Sequence, residues 1–245
     1  MKTLYIIFLI TFNYTISAQS EAIINEEIDE ELDERVGLFE GGFSLYLPTG
    51  TYKEKLGVSS RSGFNLGYFY QLIPENPAFI GVEFYYMYIG KVSKEYVDII
   101  DNESIDISGT IVSQSLGINL IGRYYPSIQI GIVEPYFEGR LGPKWMNTFL
   151  NESGVFFNDE LYEESDFVEG DIVLSYGFGA GIQIDLKSNV YFNFKTVFQN
   201  SLSGEYYSLK SKAEIEQAYF PSNGLAKKIG PTNTVRFDFG VTVVF

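Results

Sequence analysis

Apolar residues occupy every second position along most of the chain from residue 36 onwards. In the last segment these residues are Val235, Phe237, Phe239, Val241, Val243 and Phe245. Because successive side chains of a strand point to opposite faces, this alternation predicts strands with one apolar and one mixed face. It predicts eight of them, over residues 37–48, 61–73, 78–91, 111–125, 132–147, 171–186, 189–200 and 234–245.

The connections between these strands alternate between short and long. Short links follow the second, fourth and sixth strands (74–77, 126–131 and 187–188), and longer ones cover residues 49–60, 92–110, 148–170 and 201–233. Each strand exceeds the roughly 9–11 residues that cross a bilayer when tilted. Short turns on one side and long loops on the other are typical of outer-membrane barrels. We therefore predict an all-β fold, one eight-stranded antiparallel transmembrane β-barrel spanning residues 36–245, with both termini periplasmic.

Three of the long connections carry patterns of their own. The stretches 97–100 and 105–107, which flank Asp101-Asn102-Glu103, predict that the third and fourth strands continue as a hairpin above the membrane. Residues 211–219 favour a helical turn or two. Residues 151–169 hold seven acidic residues and no Lys or Arg. Clustered carboxylates suit Ca²⁺, but the spacing does not fit an EF-hand, so a solvated, repulsive loop is the simpler interpretation.

The first 35 residues precede the strand pattern. Lys2, an apolar run over residues 4–12 and the pair Ser17-Ala18 predict a signal peptide, residues 1–18. Residues 19–35 carry eight acidic residues and one Arg, which indicates an acidic periplasmic segment, either a contact segment or a solvated tail. The formal net charge of -15 argues against nucleic acid or anionic lipid surfaces as partners.

Charged residues fall on the strand face that the alternation turns inward. They are Glu40, Arg61, Glu83, Arg123, Glu138, Arg140, Lys144, Lys195, Arg236 and Asp238. Eight strands leave a lumen only about wide enough for side chains, and buried charges must be paired. We therefore expect a structural network of ion pairs inside the barrel, and the alternative is a polar pathway or a small-solute site. Inward glycines, such as Gly117 and Gly181, are expected to make room for long side chains.

The end of the chain resembles the C-terminal signal by which the barrel-assembly machinery recognises its clients. The residues that carry this resemblance are Asp238, Gly240, Val243 and Phe245, although an aromatic residue is commoner at the position of Val243. The stretch 42–50, GFSLYLPTG, is similar to the first strand and loop of OmpW-like barrels. The mature chain as a whole resembles the small eight-stranded outer-membrane barrels, such as OmpX, OmpW and the transmembrane domain of OmpA. The resemblance implies an outer-membrane location, contact with lipid and lipopolysaccharide, and a monomer.

The residue inventory bears on function chiefly through what it lacks. Barrel enzymes of this class resemble each other in needing a His, and this chain has neither His nor Cys. We therefore expect a non-enzymatic protein with no cofactor and no His/Cys metal site. The main hypothesis is a barrel that stabilises the envelope or binds partners through its external loops. The alternative is an OmpW-like channel for small molecules, apolar ones included, and a more distant one is a barrel subunit of a secretion system.

Overall fold

The computed structural model describes residues 36–57, 59–73, 76–100, 103–128, 130–156, 160–186, 189–209 and 225–245. Within these ranges the elements are β1 (Gly37–Pro48), α1 (Gly50–Leu56), β2 (Arg61–Gln71), β3 (Ala78–Ile100), β4 (Glu103–Tyr124), β5 (Val133–Val155), β6 (Leu161–Asp185), β7 (Val190–Ser201), β8 (Ser203–Leu209), β9 (Leu225–Pro231) and β10 (Thr234–Val244). The predicted signal peptide, acidic segment 19–35 and helical turns at 211–219 lie outside the described residues.

Eight of the strands form one closed antiparallel barrel, in the order β1-β10-β7-β6-β5-β4-β3-β2. The first and last barrel strands meet along their whole length, from Leu38 opposite Val244 to Pro48 opposite Thr234. Closure satisfies the backbone hydrogen bonds of every strand and leaves no edge in the barrel wall. The fold class and the eight predicted barrel strands are thereby confirmed. No helix among the described residues is long and apolar enough to cross a membrane.

The barrel wall is apolar outside and mixed inside, as the alternation predicts. Outward side chains such as Phe39, Phe43 and Phe239 are exposed, whereas the intervening Glu40 and Ser44 are buried in the lumen. One row of outward residues follows the strand pairing across four neighbouring strands, and consists of Tyr86, Leu116, Trp145 and Ile172. We call it the belt row, because Trp and Tyr on the outer wall are typical of a membrane interface.

Four strands, β3 to β6, continue well beyond the belt row, whereas β1, β2, β7 and β10 stop near it. The prediction that β3 and β4 extend as a hairpin is confirmed, because their pairing runs to Ile100 opposite Glu103. The prediction of a loop at 148–170 was wrong, because β5 and β6 pair as far as Val155 opposite Leu161. Residues 88–100, 103–114, 147–155 and 161–170 thus form one four-stranded structure, here called the protruding sheet. We call this end of the barrel the loop end.

Two elements at the loop end were not predicted. The short helix α1 ends at Gly57, whose positive φ of 66° suits glycine, and it buries Tyr52 and Leu56. The strands β8 and β9 form a separate two-stranded sheet within the last long connection. The ring of Tyr206 on β8 meets the ring of Tyr52 edge-on at 5.1 Å, so the two elements pack together over the barrel mouth.

Candidate functional site: the lumen and the protruding sheet

Eight buried charged side chains from six strands meet in the middle of the lumen. They are Glu40, Glu83, Arg123, Glu138, Arg140, Lys195, Arg236 and Asp238, and we call them the lumen network. Four are acidic and four are basic, so their formal charges cancel. Barrel alternation turns all eight side chains inward, and the narrow wall then brings them within reach of one another.

Glu83 pairs with three of the four bases of the network. Its carboxylate lies 2.8 Å from Arg140, 2.7 Å from Arg236 and 3.1 Å from the Nζ of Lys195. Lys195 is the corresponding central base, since it also pairs with Glu40 and lies within 4 Å of Glu138 and Asp238. The network is therefore joined across the lumen and not only between neighbouring strands.

The remaining lone pairs and donors of the network are largely satisfied. Arg123 lies 2.7 Å from Glu40 and 3.0 Å from Glu138, which also accepts a bond from Arg140. Neutral side chains donate further hydrogen bonds to the carboxylates. Asn193 donates to Glu40 at 2.7 Å, Ser44 to Asp238 at 2.7 Å and Asn119 to Glu83 at 3.4 Å. Such pairing is what allows eight charges to be buried together.

Apolar and aromatic layers lie on both sides of the lumen network. Toward the end where β1 begins, the layer consists of Leu38, Phe69, Phe79, Ile121, Tyr125, Tyr136, Tyr191 and Val244. The guanidinium of Arg123 lies over the rings of Phe69 and Tyr136, at 3.9 and 4.3 Å from their centres. Toward the loop end, the layer consists of Tyr46, Tyr52, Leu56, Tyr85, Met87, Ile89, Met146, Val173 and Tyr206. The lumen is thus filled by three successive layers of side chains.

Two inward charges lie apart from the network. Arg61, predicted to belong to it, is half-buried at the loop end and donates to the carbonyl of Ser60, so that assignment was wrong. Lys144 is buried and donates to the carbonyl and hydroxyl oxygens of Thr232, at 3.2 and 2.9 Å. Both positions lie nearer the mouth than the eight network residues, where the interior is lined by the loop-end layer.

Inward glycines make room for the aromatic rings, which sequence reasoning did not assign to the site. A Cβ at Gly117 would overlap with the ring of Tyr85, and one at Gly181 would overlap with the ring of Tyr136. The signal was available in the sequence, because these tyrosines occupy inward positions of the alternation.

The residues of the predicted assembly signal lie at the seam where β10 pairs with β1. Asp238 belongs to the lumen network, whereas Val243 and Phe245 are outward and exposed. A side chain at Gly240 would collide with the backbone of Gly41 on β1. The recognition role of these residues stays a prediction.

The outward face of the protruding sheet is organised in horizontal rows. Phe149 and Phe167 lie opposite each other with ring centres 5.6 Å apart. The next row toward the ends of the hairpins is polar. In this row Ser93 bonds to Thr110 at 2.9 Å, and Ser165 bonds to Asn151 at 2.7 Å. On the opposite face, Ile111 is buried against Val92, Tyr96 and Leu150. This packing and the cross-strand bonds hold the sheet as a firm structure.

An ionic contact ties the β8–β9 sheet to the base of the protruding sheet. Lys227 on β9 lies 2.9 Å from Glu169 on β6 and 2.6 Å from Glu205 on β8. Hydrogen bonds from Tyr207 and Lys227 hold the pKa of Glu169 below its ordinary value, and hydrogen bonds to Glu205 and Glu169 raise the pKa of Lys227. We call this contact the latch.

The Ca²⁺ hypothesis for residues 151–169 gains no donor set from the described part of that segment. Several of its acids, such as Glu152, lie on strands of the protruding sheet. Among the residues that the structure describes, no group of three His, Cys, Asp or Glu side chains is placed to hold a metal ion.

No protein-family model and no curated protein matches the sequence. Among solved structures, the chain is similar to Neisserial surface protein A (14% identity, covering 85% of this chain and 97% of that one, TM-score 0.40). It is also similar to a major outer membrane protein from Thermus thermophilus (12%, 85% and 99%, 0.41) and to the outer membrane protease OmpT from Escherichia coli (9%, 90% and 99%, 0.34). These structures are similar in fold alone, and the fold of this chain is one closed eight-stranded antiparallel β-barrel.

Proposed function

We propose that this protein is a closed, monomeric outer-membrane barrel that holds a firm β-sheet outside the cell as a binding surface for a partner. The observation that carries the proposal is the protruding sheet, in which four strands continue beyond the belt row while the other four barrel strands stop. A barrel that served only as a membrane anchor would not need this extension. The exposed apolar wall supports placement in lipid, including lipopolysaccharide, after assembly by the barrel-assembly machinery.

The filled lumen argues against the channel alternative. A conducting path would have to pass the apolar layer around Tyr136, the lumen network and the loop-end layer around Tyr52. A sideways exit for apolar molecules would need a gap in the wall, and all eight barrel strands are paired in a closed ring. We therefore assign the function of this protein to the surface that lies beyond the membrane.

Catalysis is not part of the proposal, because the chain has no His or Cys to act as base or nucleophile. One described amine lies beside hydroxyl groups, since Lys144 donates to Thr232, whose hydroxyl bonds to that of Ser201. All three residues are buried beneath the loop-end layer, which keeps a substrate away from them.

A shortened variant separates a binding surface from a purely structural barrel. Both hairpins would be cut at the same row, by replacing residues 94–109 and 152–164 with two-residue Asn-Gly turns. The barrel and lumen network remain, and heat-modifiable gel mobility would verify folding. We expect cells that lack the protein, and cells that carry only the shortened variant, to keep a normal barrier against detergent. A barrier that fails without the protein and recovers with the shortened variant would instead show an envelope-structural role.

A further inference from the structure

The end of the protruding sheet exposes four aliphatic side chains on its outward face. They are Val97, Ile99, Val155 and Leu161, which are 64%, 71%, 52% and 75% exposed, and we call them the tip patch. Exposed apolar side chains that cluster together on a water-facing surface usually mark a binding site. The outer wall of the barrel is also apolar, but lipid accounts for it there.

The strand register places these side chains next to one another. Val97 pairs with Asp106, and Val155 pairs with Leu161. Since Ile107 pairs with Gly154, the two pairs lie side by side on β3, β4, β5 and β6. Ile99 lies on the same face, two residues beyond Val97. The tip patch therefore forms one strip of two aliphatic pairs, Val97 with Ile99 and Val155 with Leu161, and Asp106 of β4 lies between the pairs.

The tip patch lies too far from the belt row to be covered by the same bilayer. Leu161 and the belt residue Ile172 are on one continuous strand, β6, and are separated by about 36 Å at roughly 3.3 Å per residue. A strand tilt of about 35–45° still leaves most of that distance normal to the membrane. The polar row of Ser93 and Asn151 lies between the two apolar regions.

Carboxylates lie within and beneath the tip patch on the outward face. Asp106 lies within the strip, and Glu95 and Glu163 lie in the row directly beneath it. All three residues are exposed. Among the described residues of this face, Lys91 is the sole basic one, and it lies three rows below the strip. The surface therefore combines exposed aliphatic side chains with one carboxylate between them and two in the row beneath.

We propose that the tip patch docks a cationic, amphipathic polypeptide, one whose apolar side chains alternate with or adjoin Lys and Arg. The apolar strip supplies burial, and the carboxylates select the charge of the partner. A second copy of this chain would bring like charges together, and an anionic membrane or polysaccharide would be repelled by the same carboxylates. This proposal rests on the proposed function and names the chemistry of the partner.

The test uses full-length mature protein in zwitterionic phosphatidylcholine nanodiscs and a fluorescent peptide of alternating Val and Lys, with binding followed by anisotropy. The double variant Ile99→Ser/Leu161→Ser removes the most exposed apolar groups. Its control is Ile229→Ser on β9, an equally aliphatic side chain that is 60% exposed. The double variant Glu95→Gln/Glu163→Gln removes the two carboxylates of the row beneath. Its control carries Glu54→Gln on the exposed face of α1 together with Asp185→Asn, an exposed acid at the end of β6 far from the tip patch.

We expect the apolar double variant to raise Kd at least about fivefold, since two side chains lose their burial. The carboxylate variant should also raise Kd and flatten its salt dependence, and both controls should stay within about twofold. A peptide of alternating Val and Glu should not bind.

The proposal is overturned if the wild type binds no cationic peptide, or if the tip variants bind as well as the wild type does. It is also overturned if the Val/Glu peptide or anionic vesicles bind equally well, or if the tip variants abolish a dimer that sedimentation detects in the wild type. Binding that survives the tip variants but is lost on shortening the hairpins would overturn the tip patch alone. An envelope-structural outcome of the barrier assay would overturn the proposed function as well.

Discussion

Replacement of Glu83 by Gln should strongly destabilise the barrel. The carboxylate forms ion pairs with Arg140, Arg236 and Lys195 at 2.7–3.1 Å, and all four side chains are buried. The amide has nearly the same shape, so packing is preserved and charge is the main change. The four bases of the network would then face three acids. Removal of one partner from a buried pair costs about 3–5 kcal/mol, because the other charge is left uncompensated.

A compensating second change provides the matched control. Lys195→Met in the Glu83→Gln background restores the charge balance of the network, with three acids and three bases. It leaves the pairs of Arg123 with Glu40 and of Arg236 with Asp238 in place. Since the two removed charges are partners, the double variant should cost clearly less than the sum of the single variants. A Glu54→Gln variant on the exposed α1 should change stability by less than about 0.5 kcal/mol.

The assay is urea unfolding of the protein in lipid vesicles, followed by the fluorescence of the single Trp, Trp145. This side chain lies in the belt row, so its emission changes when the strand leaves the bilayer. A loss of less than about 1 kcal/mol in the Glu83→Gln variant would refute the claim that the network bears on stability. So would a double variant whose cost equals the sum of the two single costs, because the charges would then act independently.

Two further predictions concern packing and pH. Gly181→Ala should destabilise the barrel by about 1–3 kcal/mol in the same assay, because the new Cβ displaces the ring of Tyr136. Gly122→Ala meets no atom within 4 Å and should be neutral, so equal effects would contradict the packing of the apolar layer around Tyr136. The latch should protect β8 from amide exchange most between pH 4.5 and 10.5. The pKa of Glu169 is depressed, so its stabilisation of β8 is complete above pH 4.5 and is lost as the pH falls further. The pKa of Lys227 is raised, so its stabilisation of β8 is complete below pH 10.5 and is lost as the pH rises further. Lys227→Met should remove this dependence, and an unaltered pH profile in that variant would show that the latch is not the cause.

The barrel strands were predictable because two solvents act on their two faces. Lipid requires apolar residues outside, and the narrow lumen requires polar or small residues inside, so the period of two is strong in segments such as Gly37–Pro48, which match prediction from end to end. The protruding sheet meets water outside, where Ser, Thr and Glu alternate with few apolar residues, so the contrast fades beyond the belt row. The acidic run near Glu163 was therefore interpreted as a loop. Seven residues of α1 with two buried side chains give no helical period to detect.

The composition of the candidate site was predictable, but its pairing was not. Alternation alone turns Glu83 and Arg236 inward, and narrowness implies that they have partners. Which partners they have depends on the stagger of the strands around the barrel, and these two residues are 153 positions apart in the chain. The same stagger puts Arg61 at the mouth, away from the network that its inward position suggested. Pairing of this kind is a property of barrel geometry, and no local segment contains it.

The central claim, that the lumen is closed and the protein acts through its protruding sheet, is tested most directly by conductance. Refolded mature protein would be inserted into a planar bilayer, with folding verified by heat-modifiable gel mobility and insertion by protection of the barrel strands from protease. The account predicts a silent membrane, because the lumen network and its two apolar layers fill the interior. Discrete, reproducible current steps from the inserted protein would contradict it and would make the lumen charges the lining of a channel.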